Sequence, residues 1–175
     1  MDTLNNIRNN SFWSNLFKTT TAKDDLQTII CSLPPFQLLN NKHVAMLMTL
    51  VHQRSYQPNE YIFVEGDPGL GIYFIEQGKV RILKELSPGK EETLAELTQG
   101  DFFGELSAID EMPRSASAMA LTDTKVGVIF KPDLDEFIDK YPKVGIHILR
   151  GLAKIISTRL RKFNEEYIEL LSDCK

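Results

Sequence analysis

Histidine and cysteine are scarce in this chain of 175 residues: three of the former and two of the latter. His43, His52 and His147 all lie outside the stretch from Tyr56 to Phe130, and so do both cysteines. A metal centre on that stretch needs clustered imidazole, thiolate or carboxylate ligands, and is not expected. His43 and His52 are expected at the surface or at helix ends. No G-x-S-x-G occurs, and Ser107, Ser115 and Ser117 have no histidine near them in sequence, so an activated serine nucleophile is not expected either. Cys31 and Cys174 are far apart and outside any C-x-x-C, which fits a reduced cytoplasmic protein. The first ten residues are polar, without the apolar core of a secretion signal, and no run approaches the roughly 18 apolar residues of a membrane span. A basic excess is missing as well. With 20 Lys and Arg against 24 Asp and Glu, the net charge of −4 disfavours nucleic acid as a partner.

What remains is 42% apolar and 25% charged, enough for one globular domain with a proper core and some additional helix. The pattern changes twice along the chain. Phe12, Trp13, Leu16 and Phe17 share one face of a helix in the polar opening segment, a face that lies on the domain or a partner subunit, or docks to another protein or a membrane surface. Thr21 and Asp24 are spaced as a capping-box variant before Leu26, Ile29 and Ile30, and Pro34-Pro35 stop that helix. A second helix is predicted near 41–53 from Val44, Leu47, Met48 and Val51.

From Tyr56 to Phe130, short runs of Ile, Val, Phe and Tyr alternate with turn signals such as Asp67-Pro68-Gly69 and Ser87-Pro88-Gly89-Lys90, which argues for a β sandwich or barrel. Alternation along Lys79-Val80-Arg81-Ile82 and Thr93-Leu94-Ala95 turns Ile82 and Leu94 inward. Pro132-Asp133 opens a short helix carrying Leu134 and Phe137, and a longer one is predicted over 142–171. In that long helix Leu149, Ala153, Ile156, Leu160, Phe163, Tyr167 and Leu170 follow the heptad rhythm of a seam with a second copy, while Ile148, Leu152 and Ile155 beside it can rest on the domain. A single amphipathic helix folded onto its own domain remains the alternative.

One run carries most of the chemistry. Residues 100–117 place a carboxylate, Glu105, directly after Gly104 and nine residues before Arg114, which is followed by Ser115, Ala116 and Ser117. An arginine fork can hold two oxygens of one phosphate, and an ionised carboxylate only accepts hydrogen bonds, as from sugar hydroxyls. Gly104 permits a close backbone approach, and a helical turn over 104–110, including Leu106 and Ser107, would offer unpaired amides to an anion. The pair reads as a site for a ribose phosphate.

Phe102-Phe103-Gly104-Glu105-Leu106-Ser107 and Pro113-Arg114-Ser115-Ala116-Ser117 resemble the phosphate-binding cassette of cyclic nucleotide-binding domains, with matching spacing. Tyr61 to Asp67, Tyr73 to Val80 and Gln99 to Phe102 match further landmarks in order, so that the resemblance spans about residues 24–171. It implies a mainly β fold with flanking α, a β jelly roll or double-stranded β-helix with N-terminal helices and a long C-terminal helix. The domain would occupy 23–175, with 1–22 as an extension. By the same resemblance Glu105 takes the ribose 2′-hydroxyl and Arg114 the phosphate oxygens of cAMP or cGMP, with no metal. Ser115 after the arginine leans toward cAMP, Ile82 and Leu94 face the base, and Phe163 and Asn164 approach it from the final helix. The reading is of a sensor, not an enzyme, that signals in trans to an unknown effector protein and forms a homodimer through its last helix. Only four residues follow Leu171, so a DNA reader after the last helix is not expected. The rival reading is a degenerate jelly-roll scaffold that pairs but binds no nucleotide.

Overall fold

The computed structural model describes residues 25–173. Helix α1 (Leu26–Ser32) is capped by Asp25, whose side chain accepts from the Thr28 amide at 2.8 Å; this N-cap bond satisfies a free amide of the first turn. Thr21, Asp24 and the apolar face of 12–17 lie outside the described residues. Helix α2 (Asn41–Met48) is capped by Asn40 and ends earlier than its apolar rhythm predicts. Beyond it Val51–Tyr56 is strand β1. Its interior is His-Gln-Arg-Ser, all exposed, so β1 lacks the apolar alternation that marks a strand; pairing with β8 makes it one.

The other strands are β2 (Tyr61–Phe63), β3 (Gly71–Gln77), β4 (Lys79–Ser87), β5 (Lys90–Thr98), β6 (Phe102–Phe103), β7 (Ser117–Ala120) and β8 (Thr124–Phe130). They form two four-stranded antiparallel sheets, ordered β1-β8-β3-β6 and β2-β7-β4-β5. Except for the β4–β5 hairpin, successive strands change sheets, as in a jelly roll. Helix α3 is a single turn (Ser107–Asp110), followed by α4 (Lys131–Lys140), with Pro132 in its first turn, and α5 (Pro142–Asp173).

Strand β3 explains how two cores share one domain. Ile72 and Phe74 join Phe102, Ile129, Leu134, Phe137, Ile148, Leu152 and Ile155 in a core between the first sheet and the helices. Tyr73 and Ile75 point the other way, into the sandwich, with Val80, Ile82, Leu97, Phe103, Val126 and Val128. A strand covered on both faces reads as a continuous apolar run, as Gly-Ile-Tyr-Phe-Ile does. The two residues of β6 divide in the same way, Phe102 to the helices and Phe103 to the sandwich. The chain leaving β6 therefore stands where both cores meet.

Ile148, Leu152 and Ile155 are almost fully buried, which seats α5 on the domain. A Cβ at Gly151 would lie 2.3 Å from the Cα of Pro35, so only glycine lets the helix approach the Pro34-Pro35 turn this closely. The flanking face of α5 exposes Leu149, Leu160, Phe163 and Tyr167.

Candidate functional site

Residues 104–116 connect β6 in one sheet to β7 in the other and wrap an open cavity. Its walls are Phe63, Ile82, Phe103, Gly104, Glu105, Leu106, Ser107, Arg114, Ser115 and Ala116. At Gly104, φ is +79°, and a Cβ would lie 2.6 Å from Nη1 of Arg114 and 2.9 Å from the Gly71 carbonyl. Glycine is thus required twice, for the left-handed backbone and for the space. The first hydrogen bond of the following turn is Ala108 N to Glu105 O at 3.2 Å, so the amides of Leu106 and Ser107 precede the bonded part of the turn.

Arg114 is 4% exposed. Its Nη1 donates to Gly104 O and its Nη2 to Gly71 O, both at 3.0 Å, and the guanidinium lies 4.1 Å over the Phe63 ring and 5.5 Å from that of Tyr73. Burial pushes its pKa down, while Tyr73, Glu105 and Asp67 pull it back; an arginine remains charged under such pressure. The backbone of Arg114 is pinned as well. Its amide donates to Asp67 O at 2.8 Å and its carbonyl accepts from Gly66 N at 2.9 Å. The Glu65-Gly66-Asp67 turn is thus the rack on which the cassette arginine is hung.

Glu105 is 1% exposed, and its Oε1 accepts from Nη1 of Arg159 on α5. Arg159 is itself buried, donates from Nη2 to Phe102 O at 3.2 Å and stacks 4.7 Å over the Phe102 ring. The long helix is therefore wired by a charge pair to the carboxylate of the cavity. Among the described residues, two buried side-chain atoms have no hydrogen-bond partner, and both belong to this site: Oε2 of Glu105 and Nε of Arg114. One can only accept and the other only donate.

Of the residues read from the sequence, Gly104, Glu105, Leu106, Ser107, Arg114, Ser115, Ala116 and Ile82 are brought together. Leu94 is not. The β4–β5 register passes from Ile82↔Ala95 to Leu83↔Thr93, so a bulge at Leu94 breaks the alternation; Ala95 and Leu97 face inward and Leu94 sits half-buried beside the second core. Phe163 and Asn164 also stand apart, exposed on α5 a full turn beyond Arg159, with Phe163 stacked on Tyr167 at 6.3 Å. Arg159 is the residue that sequence reasoning missed as a functional group, since Ser157-Thr158-Arg159-Leu160 serves there only to align the helix. Its signal was present: Ile148, Leu152, Ile155 and Arg159 continue one 4-3-4 stripe, which puts an arginine at a core position. Among the described residues no group of three His, Cys, Asp or Glu could hold a metal ion, and no helix is long and apolar enough to cross a membrane.

The family model of the cyclic nucleotide-binding domain matches residues 53–141. A "Cyclic AMP receptor protein" of Thermus thermophilus is 37% identical over 139 residues, which cover 79% of this chain and 62% of that protein. A "cAMP-dependent protein kinase regulatory subunit" of Colletotrichum orbiculare is 35% identical over 57% of this chain and 25% of its own length. Among solved structures, a cyclic nucleotide-binding domain from Methylobacillus flagellatus superposes with a TM-score of 0.70 at 28% identity, covering 83% of this chain and 80% of that one. The chain spans about three-fifths of the length of the bacterial receptors and regulators it matches.

Proposed function

Because the chain belongs to the cyclic nucleotide-binding domain family, we propose that it binds one cyclic nucleotide in the cavity of residues 104–116 and relays the event through α5 to another polypeptide. The observation that carries this reading is the pair of orphaned atoms. Glu105 Oε2 can accept from a ribose hydroxyl, and Arg114 Nε can donate to a phosphate oxygen. Leaving a polar group buried and unsatisfied costs about 1–3 kcal/mol. A scaffold without a ligand has no use for two of them in one cavity.

The preferred ligand is cAMP, supported by Ser115 at the cavity wall and by the names of the relatives. Competition against a fluorescent cAMP analogue tests it: cAMP is expected to displace the probe at lower concentration than cGMP, and the reverse order would move the assignment to cGMP. The role is regulatory rather than catalytic, in a cytoplasmic protein, with the effector protein still to be identified.

Signalling follows from Glu105 having two oxygens with two addresses. A hydroxyl on Oε2 changes the acceptor strength of Oε1, and so the hold of the carboxylate on Arg159 and α5. Ligand must then favour one arrangement of α5 over another. The exposed stripe of Leu149, Leu160, Phe163 and Tyr167 is proposed to pair with the same stripe of a second copy. Contact of Phe163 or Asn164 with a base requires a shift of α5 or the helix of that second copy. Light scattering should show a dimer, and Ile156→Glu with Leu160→Glu should convert it to a monomer while leaving the secondary structure intact. A dimer that survives both charges rules out the α5 seam.

A further inference from the structure

Beside the cavity, Lys84 on β4 makes a connection that the binding chemistry does not use. Its Nζ pairs with Glu65 Oε1 and also donates to the carbonyl of Ser115 at 2.9 Å. The other oxygen of Glu65 accepts from the Glu85 amide at 3.3 Å, and the Glu65 amide donates to Ser117 Oγ at 2.9 Å. With the two backbone bonds of Arg114 to Gly66 and Asp67, every residue of the cassette exit except Ala116 is tied to the turn at 65–67 or to β4. The tethers at 114 and 117 use the turn's own backbone. That of Ser115 alone among these relies on a side chain from another strand.

We infer that Lys84 is a positioning residue for the cavity, holding the Ser115 backbone so that its hydroxyl stands at a fixed place on the wall and thereby setting discrimination between purine bases. This rests on the nucleotide reading above and deepens it. Glu65 neutralises the ammonium and lies below the usual carboxylate pKa chiefly because Lys84 bonds to it. Lys84 therefore acts as a strut rather than as a charge that draws phosphate from solution. Its partners fix its direction: Glu65 from the turn after β2, Ser115 O from the cassette, and the strand it grows from, which is paired with β7 through Leu83↔Ser117. Cavity wall and β4 are thus coupled at neighbouring positions, since Ile82 lines the same cavity two residues away.

Two readouts separate the strut from the pocket it serves. Hydrogen exchange on the full chain without ligand should show peptides over 113–118 exchanging roughly fivefold faster in Lys84→Met, the size expected of one charge-assisted hydrogen bond discounted for exposure. Peptides over β3 and β8 should stay unchanged, and Lys84→Arg should restore protection. Unchanged exchange over 113–118 overturns the strut without touching the nucleotide reading. In binding, Lys84→Met should shift the ratio of cAMP to cGMP affinity by about threefold or more, with the same salt dependence as the wild type, and Lys84→Arg should return the ratio. Faster exchange with an unchanged ratio overturns the role in discrimination, and a steepened or flattened salt dependence marks Lys84 as a phosphate attractant instead. If the wild type binds neither nucleotide, the nucleotide reading and the discrimination role fall together, and the exchange result stands by itself.

Discussion

Arg114→Ala is expected to lower cyclic nucleotide affinity by roughly 30-fold to several thousand-fold, equivalent to about 2–5 kcal/mol for removing one member of a desolvated charge pair. The structure explains why the loss should be large. The guanidinium is buried, stacked on Phe63, and already spends two donors on the carbonyls of Gly104 and Gly71, so its remaining donors are fixed in direction before any ligand arrives. No reorganisation is left for the ligand to offset. Arg114→Lys keeps the charge but loses the planar fork and the orphaned Nε, and should recover only part of the affinity. Because alanine also strands two carbonyls, circular dichroism and thermal melting must accompany the calorimetry. Wild-type affinity in a folded Arg114→Ala would remove Arg114 from the site.

Arg159→Met is expected to have the largest effect on stability. It leaves the Glu105 carboxylate buried with its salt-bridge partner gone, at a cost of about 3–5 kcal/mol, which for a chain of this size lowers the thermal midpoint by roughly 6–20 °C. Methionine retains the apolar stem against Phe102, so the loss reports the charge rather than the packing. Glu105→Gln alone should destabilise as well. Combined with Arg159→Met it should cost much less than the sum of the two, with a coupling of about 1–3 kcal/mol. Additive losses would mean that the contact between helix and cavity carries no energy, and that α5 needs another route to sense the ligand. The same double variant is expected to bind nucleotide without changing its tendency to dimerise.

The cassette was legible from sequence because its chemistry is local: Gly104, Glu105 and Arg114 lie within eleven residues, and each residue type has a narrow set of uses. The two sheets were legible in outline, since the turn signals fall between runs of apolar residues. What failed to show was decided by distant partners. Strand β1 is polar and exposed along its interior, and exists because β8 offers an edge. Helix α2 loses its predicted last turns to that strand, although Val51 continues the helical rhythm. The bulge at Leu94, which leaves it beside the second core rather than on the cavity wall, cannot be read from a period-two pattern. Arg159 sits 54 residues from Glu105, and its stripe of Ile148, Leu152 and Ile155 predicts a buried position without saying what an arginine meets there.

The central claim is that Glu105 and Arg114 together make one nucleotide site. Isothermal titration of cAMP into the extensively dialysed full chain tests it most directly, with 5′-AMP and the Glu105→Gln variant run alongside. The expected result is one cAMP per chain, weaker binding of 5′-AMP, whose phosphate is not tied back to the ribose, and at least tenfold weaker binding of cAMP to Glu105→Gln. Absence of binding heat from both cAMP and cGMP at ligand concentrations up to millimolar, in a chain shown to be folded, would contradict the account.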